Sequence, residues 1–120
     1  MMGTLLDSIR LHGATGRNAP SVDAIAKILR DALNPERIVL FGSWARGTAR
    51  ADSDVDLLIE LETDLPQAER SRTVSRLFPD RRWSLDALVF TPKEMAAARR
   101  SPASVLAAIE SDGKVLYARQ

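Results

Sequence analysis

Residues 41–61 read FGSWARGTARADSDVDLLIEL. A glycine–serine pair near the start is followed by a polar loop, and Asp52, Asp54 and Asp56 fall within five positions. The apolar run Leu57-Leu58-Ile59 comes directly after. Such a run behind turn residues predicts a strand, residues 55–61, with a buried face. Strand side chains alternate faces, so Asp54 and Asp56 point the same way, with Cα atoms about 6.6 Å apart. Carboxylates crowded there repel, and one pKa rises unless a cation lies between them.

Working outward, a third carboxylate stands in WSLDALVF, residues 83–90, where Asp86 interrupts an otherwise apolar strand apart from Ser84. A mid-strand aspartate that faces a core is costly unless paired or metal-bound. Asp54, Asp56 and Asp86 are therefore candidate catalytic and metal-binding residues. Ahead of them, Gly42 permits close approach of a ligand to the backbone. Ser43 offers a hydroxyl, and the turn after it aims N–H groups at an anion. Arg46 adds positive charge. Together these describe a phosphate cradle beside a metal site, the two parts that triphosphate chemistry needs. Alone, DSD is more often a turn cluster, Gly42-Ser43 an ordinary turn, and Asp86 the partner of an arginine. Their order on strands carries the reading.

Other chemistries fit poorly. With no cysteine and only His12, thiolate and histidine metal clusters are excluded, and a Ser-His triad finds no support. Any metal is held by oxygen, which favours Mg2+ or Mn2+. GSWARGT lacks the Lys-Ser/Thr that completes a P-loop, and no G-x-G-x-x-G follows a strand. A two-carboxylate hydrolase would leave the phosphate-like turn unexplained.

The 120 residues fit one domain with a core; 45% are hydrophobic, 28% charged, and the net charge is +1. No apolar run reaches a membrane span and no signal peptide is read, so no membrane association is expected. The lack of cysteine is compatible with the cytoplasm, the expected location. Arg70, Arg72, Arg76, Arg81 and Arg82 cluster as a solvated helix face, or else as a surface for nucleic acid or an acidic protein.

Residues 1–20 read as an N-terminal extension and 21–120 as the domain. Ser21 caps a helix through residue 32, which Asn34-Pro35 ends, and residues 37–41 form a strand. Asp64 and Gln67 have capping-pair spacing, with Pro66 in the first turn of a helix reaching residue 77. Residues 83–90 form the third strand. Thr91-Pro92-Lys93-Glu94 starts a further helix and Ser101-Pro102 another, with Gly113 as its stop and a short last strand at residues 114–117. The fold class is α/β (α+β): a small mixed β-sheet with helices packed on it, a hairpin-like antiparallel first pair and a parallel crossover to the third strand.

Gly42-Ser43, ten further residues and Asp54-Val55-Asp56-Leu57 resemble the signature of the DNA polymerase β-type nucleotidyltransferase superfamily. The longer stretch LFGSWARGTARADSDVDLLIEL is similar to the minimal nucleotidyltransferase (MNT) group, small proteins often paired with a helical HEPN-domain toxin. The resemblance implies the polymerase β-type fold and a two-metal reaction. Asp54 and Asp56 would bind both Mg2+ ions, with Mn2+ as a substitute. Asp86 would be the third carboxylate and activate the acceptor hydroxyl. Gly42 and Ser43, with Arg46 nearby, would hold the triphosphate of ATP. AMP would pass to a tyrosine of the partner HEPN toxin, making the chain an antitoxin of a type VII-like pair. The alternatives are an antitoxin that neutralises by binding alone and nucleotide transfer to a small molecule. In 120 residues no second domain like that of larger relatives is expected, so a partner chain or a homo-oligomer would complete the acceptor surface. Direct nucleic-acid binding is not expected.

Overall fold

A computed structural model describes residues 20–101 and 104–120. The expected N-terminal extension, with His12, lies outside the described residues apart from Pro20. The first helix among the described residues, α1 (Val22–Leu33), starts where Ser21 Oγ accepts the Ala24 N–H at 3.3 Å. That bond satisfies one of the donors every helix start leaves unpaired. The helix ends at Asn34, which turns left-handed at φ 51° and donates its N–H to the Arg30 carbonyl. Asparagine is one of the few residues that adopt this conformation readily. Ile25 and Leu29, one helical turn apart, are fully buried.

Strand β1 (Arg37–Phe41) buries its three central residues. A helical turn, α2 (Ser43–Arg46), and a polar loop lead to β2 (Val55–Glu60), antiparallel to β1. Helix α3 (Gln67–Ser75) carries the chain to β3 (Leu85–Phe90), parallel to β2, as a parallel pair requires. Helices α4 (Pro92–Arg99) and α5 (Val105–Asp112) return it to β4 (Lys114–Ala118), antiparallel on the other side of β1. The sheet order is β3-β2-β1-β4. The expected small mixed sheet with packed helices is what forms.

Alternation along the strands makes two cores. Ile38, Leu40, Val55, Leu57, Ile59 and Val89 face α1 and α3, with Phe78 and Trp83 in the same core. Val39 and Leu58 face Met95 of α4 and Leu106 and Ile109 of α5. Each such side chain contributes roughly 1.5–3 kcal/mol by leaving water. Among the described residues, no helix is long and apolar enough to cross a membrane.

Local details depart from the pattern read in the sequence. Pro66 is the N-cap of α3 rather than a first-turn residue, and no side chain caps that helix. Gln67 is engaged elsewhere: its Oε1 accepts from Arg70 at 2.6 Å and its Nε2 donates to the Val89 carbonyl at 3.3 Å. Strand β3 begins at Leu85, because Trp83 is drawn into the core against Phe78, ring centroids 5.6 Å apart. Helix α5 is capped by Ser104, not Ser101, its Oγ accepting the Ala107 N–H at 3.0 Å. Pro102 lies outside the described residues. The box at Thr91 and Glu94 forms as expected, with Pro92 in the first turn.

Candidate active site

The strand register places Asp56 opposite Phe41 on β1 and opposite Asp86 on β3. Cross-strand partners share a face, so the three form one row across the sheet. The next row, Val39, Leu58 and Leu88, belongs to the core under α4 and α5. The Asp56 row is more open: Phe41 and Asp56 are half-buried and Asp86 is exposed. The burial cost expected for Asp86 is therefore absent. What singles Asp86 out is its place beside Asp56.

Asp54 lies just before β2, so strand alternation does not fix its direction. It reaches the site another way, by lining an open cleft of about 500 Å³ together with Asp56 and Asp52. Burial, and after it the negative charges of Asp86 and Asp54, push the Asp56 carboxyl above its ordinary 3.8, while Arg46 pulls it back. The three expected carboxylates and Arg46 thus act on one another, although Asp86 stands beside the cleft rather than in its lining. An all-oxygen donor set whose negative charge Arg46 and Arg50 offset only in part suits a hard divalent cation in its chemistry. In geometry, no three His, Cys, Asp or Glu side chains among the described residues form a ready-made metal-binding group.

The other wall of the cleft is the glycine–serine turn. Gly42 has φ 74° and ψ −156°, a region essentially reserved for glycine. A Cβ there would also lie 2.1 Å from Asp56 Oδ2. Its carbonyl accepts the N–H groups of Ala45 and Arg46, both at 3.1 Å, which closes α2. The earliest N–H groups of the turn have no acceptor within it and can receive an anion. Ser43 and Arg46 line the same cleft.

Arg50 and Ser53, outside the residues expected at the site, also line the cleft. Ser53 Oγ accepts the Arg50 N–H at 2.8 Å, and the Ser53 N–H donates to the Arg50 carbonyl at 3.0 Å. A serine three residues after the turn's first residue was the available signal. Trp44 Nε1 donates to the Ser53 carbonyl at 3.2 Å and ties α2 to this loop.

The arginine cluster divides. The Arg70 side chain is buried, with Nε donating to the Leu65 carbonyl at 3.0 Å and Nη1 to Glu94 at 2.7 Å. Arg81 lies over the Trp83 ring, 5.9 Å from its centroid, and donates to the Ser75 and Phe78 carbonyls. These two hold the fold; Arg72, Arg76 and Arg82 are exposed.

Residues 22–102, more than half of the chain, match the family model described as nucleotidyltransferase domain. Two proteins of Methanocaldococcus jannaschii, provisionally named protein adenylyltransferases MJ0141 and MJ1379, are similar in sequence. The first is 40% identical over 44% of this chain and 50% of its own length. The second is 44% identical over 30% of this chain and 36% of its own length. The match thus spans half or less of either relative. Among solved structures, a chain of a toxin–antitoxin complex with AMP-PNP superposes with a TM-score of 0.60 at 25% identity, over 83% of this chain and 76% of that one. A chain of a mutant MntA-HpeT toxin–antitoxin pair gives 0.58 at 26% identity, over 83% and 74%. A provisionally named nucleotidyltransferase from Sulfolobus solfataricus gives 0.56 at 21% identity, over 99% and 94%, and speaks to the fold alone.

Proposed function

The chain belongs to the nucleotidyltransferase domain family, and from that premise we propose that it transfers AMP from ATP to a tyrosine hydroxyl of a partner HEPN toxin, acting as that toxin's antitoxin. The observation that carries this is a coincidence of elements. The Gly42-Ser43 turn opens on the cleft that holds Asp54 and Asp56, and Asp86 stands in register with Asp56. Similarity to toxin–antitoxin structures, one of them solved with AMP-PNP, supports the choice of nucleotide and partner.

In this mechanism Gly42 and Ser43 hold the triphosphate through backbone N–H groups and the serine hydroxyl, and Arg46 offsets its charge. Asp54, Asp56 and Asp86 would hold two Mg2+ ions, which when bound neutralise the phosphates and lower the acceptor's pKa. The acceptor oxygen bonds to the α-phosphorus, and its proton passes to the Asp86 carboxylate. The bond between the α-phosphorus and the oxygen bridging to the β-phosphate breaks, and pyrophosphate leaves. The exposed side of Asp86 is where the partner's hydroxyl approaches.

A second reading, neutralisation by masking alone, draws on the lack of a converged three-carboxylate group among the described residues. Co-expression of the toxin with the Asp54→Asn/Asp56→Asn double variant separates the two. Renewed toxicity with the complex still intact supports transfer; full neutralisation supports masking.

A further inference from the structure

Trp44 is half-buried, and its ring packs against the main core formed with α1 and α3. The other end of the indole reaches out of that core. Its N–H donates to the Ser53 carbonyl, the residue directly before Asp54. An indole buries a large rigid body and leaves one polar handle, which suits it to fix a loop relative to a core. Asp54 needs such a device. It lies outside β2 and is exposed; the Val55 N–H after it is held by the Ser84 carbonyl at 2.9 Å, while the side before it rests on the 50–53 turn. Asp56, by contrast, is fixed by strand partners on both sides.

We propose that Trp44 is a positioning residue for cation binding: it holds the 50–53 turn so that Asp54 is presented beside Asp56. This rests on the nucleotidyltransferase reading given above. Two bonds converge on Ser53 for this purpose. The Trp44 N–H holds its carbonyl from the core side, and its own Oγ holds the Arg50 N–H at 2.8 Å. Trp44 also belongs to α2, whose first residue, Ser43, lines the phosphate wall. The indole therefore links the two walls of the cleft and sets their separation. Groups that orient metal ligands from behind typically control metal affinity by about 10–100-fold.

The test is Mn2+ binding, followed by electron paramagnetic resonance of the free ion, for the wild type, Trp44→Phe and Ser53→Ala. Phenylalanine keeps one aromatic ring in the core and removes the N–H together with the rest of the five-membered ring. Both variants are expected to weaken Mn2+ binding by about tenfold, with thermal unfolding temperatures close to the wild type. Their transfer activity is expected to recover at saturating Mn2+, which a merely structural defect would not allow. Should Trp44→Phe fail to fold, Trp44→Leu, which also fills the core without an N–H, decides; Ser53→Ala leaves the indole bond in place and tests the turn alone. Variants that bind Mn2+ as tightly as the wild type overturn the inference and leave the functional reading standing. A wild type that does not bind Mn2+ overturns both.

Discussion

The backbone of Gly42 and the carboxylate of Asp56 are packed so closely that a Cβ on the glycine would lie 2.1 Å from Oδ2 of the aspartate. The turn and the strand end are thus fitted to each other, and the glycine also needs its positive φ. Gly42→Ala is expected to lower stability by about 1–3 kcal/mol through backbone strain alone. It must also displace Asp56. A misplacement of about 1 Å in a reacting geometry lowers rates by roughly 100-fold. Urea unfolding and a transfer assay on the same preparation check both effects.

Asp56→Asn is expected to remove transfer and to stabilise the metal-free protein. Burial, Asp86 and Asp54 raise the Asp56 pKa above 3.8, so the folded state binds more protons than the unfolded state over that interval. The contribution of Asp56 to stability therefore falls as pH rises from 3.8 through the raised folded value. Asparagine carries no charge and escapes that penalty. At neutral pH its unfolding temperature should exceed that of the wild type, and the gap should close on acidification below 3.8. Added Mg2+ should raise the unfolding temperature of the wild type and not of the variant.

Arg70→Met tests the buried arginine. Nη1 of Arg70 bonds to Gln67, the Val89 carbonyl and Glu94, joining α3, β3 and α4. Losing these bonds is expected to cost about 2–3 kcal/mol. The hydrogen bond from Arg70 is also the largest cause holding the Glu94 carboxyl below 4.5. That contribution is full above 4.5 and is lost as pH falls through the lowered folded value. Unfolding measured against pH should show a shallower acid loss in the variant.

Two glycines should respond differently to alanine. Gly113 has an ordinary φ of −78°, but a Cβ would lie 2.5 Å from both the Ile109 carbonyl and Val39 Cγ1. Gly47 has φ 79° with nothing near a Cβ within 4 Å. Gly47→Ala should cost about 1–2 kcal/mol of backbone strain. Gly113→Ala should shift α5 against β1, which a change in near-ultraviolet circular dichroism and a lower unfolding temperature would reveal.

Much of the fold was legible because its determinants are local. The β1 pattern, the Ser21 cap and the box at Thr91 and Glu94 each act within a few residues. The parallel crossover followed from the helix between β2 and β3. Arg70 was not legible, because its acceptors lie at Leu65, Val89 and Glu94, two of them distant in sequence. Nor was the exposure of Asp86, which depends on how far the packed helices cover its row of the sheet. The glycine–serine turn and Asp54 were legible as a pair and share one cleft. The polar loop that joins them was legible too, but the bond that fixes it was not, because an indole in α2 and a carbonyl at Ser53 meet only once the chain is folded.

The most direct measurement is the intact mass of a HEPN-domain partner after incubation with this protein, ATP and Mg2+. AMP transfer to the partner would show as a gain of one or more AMP masses, absent with Asp54→Asn. A stable complex with no mass gain, for the wild type as for the variant, would contradict it.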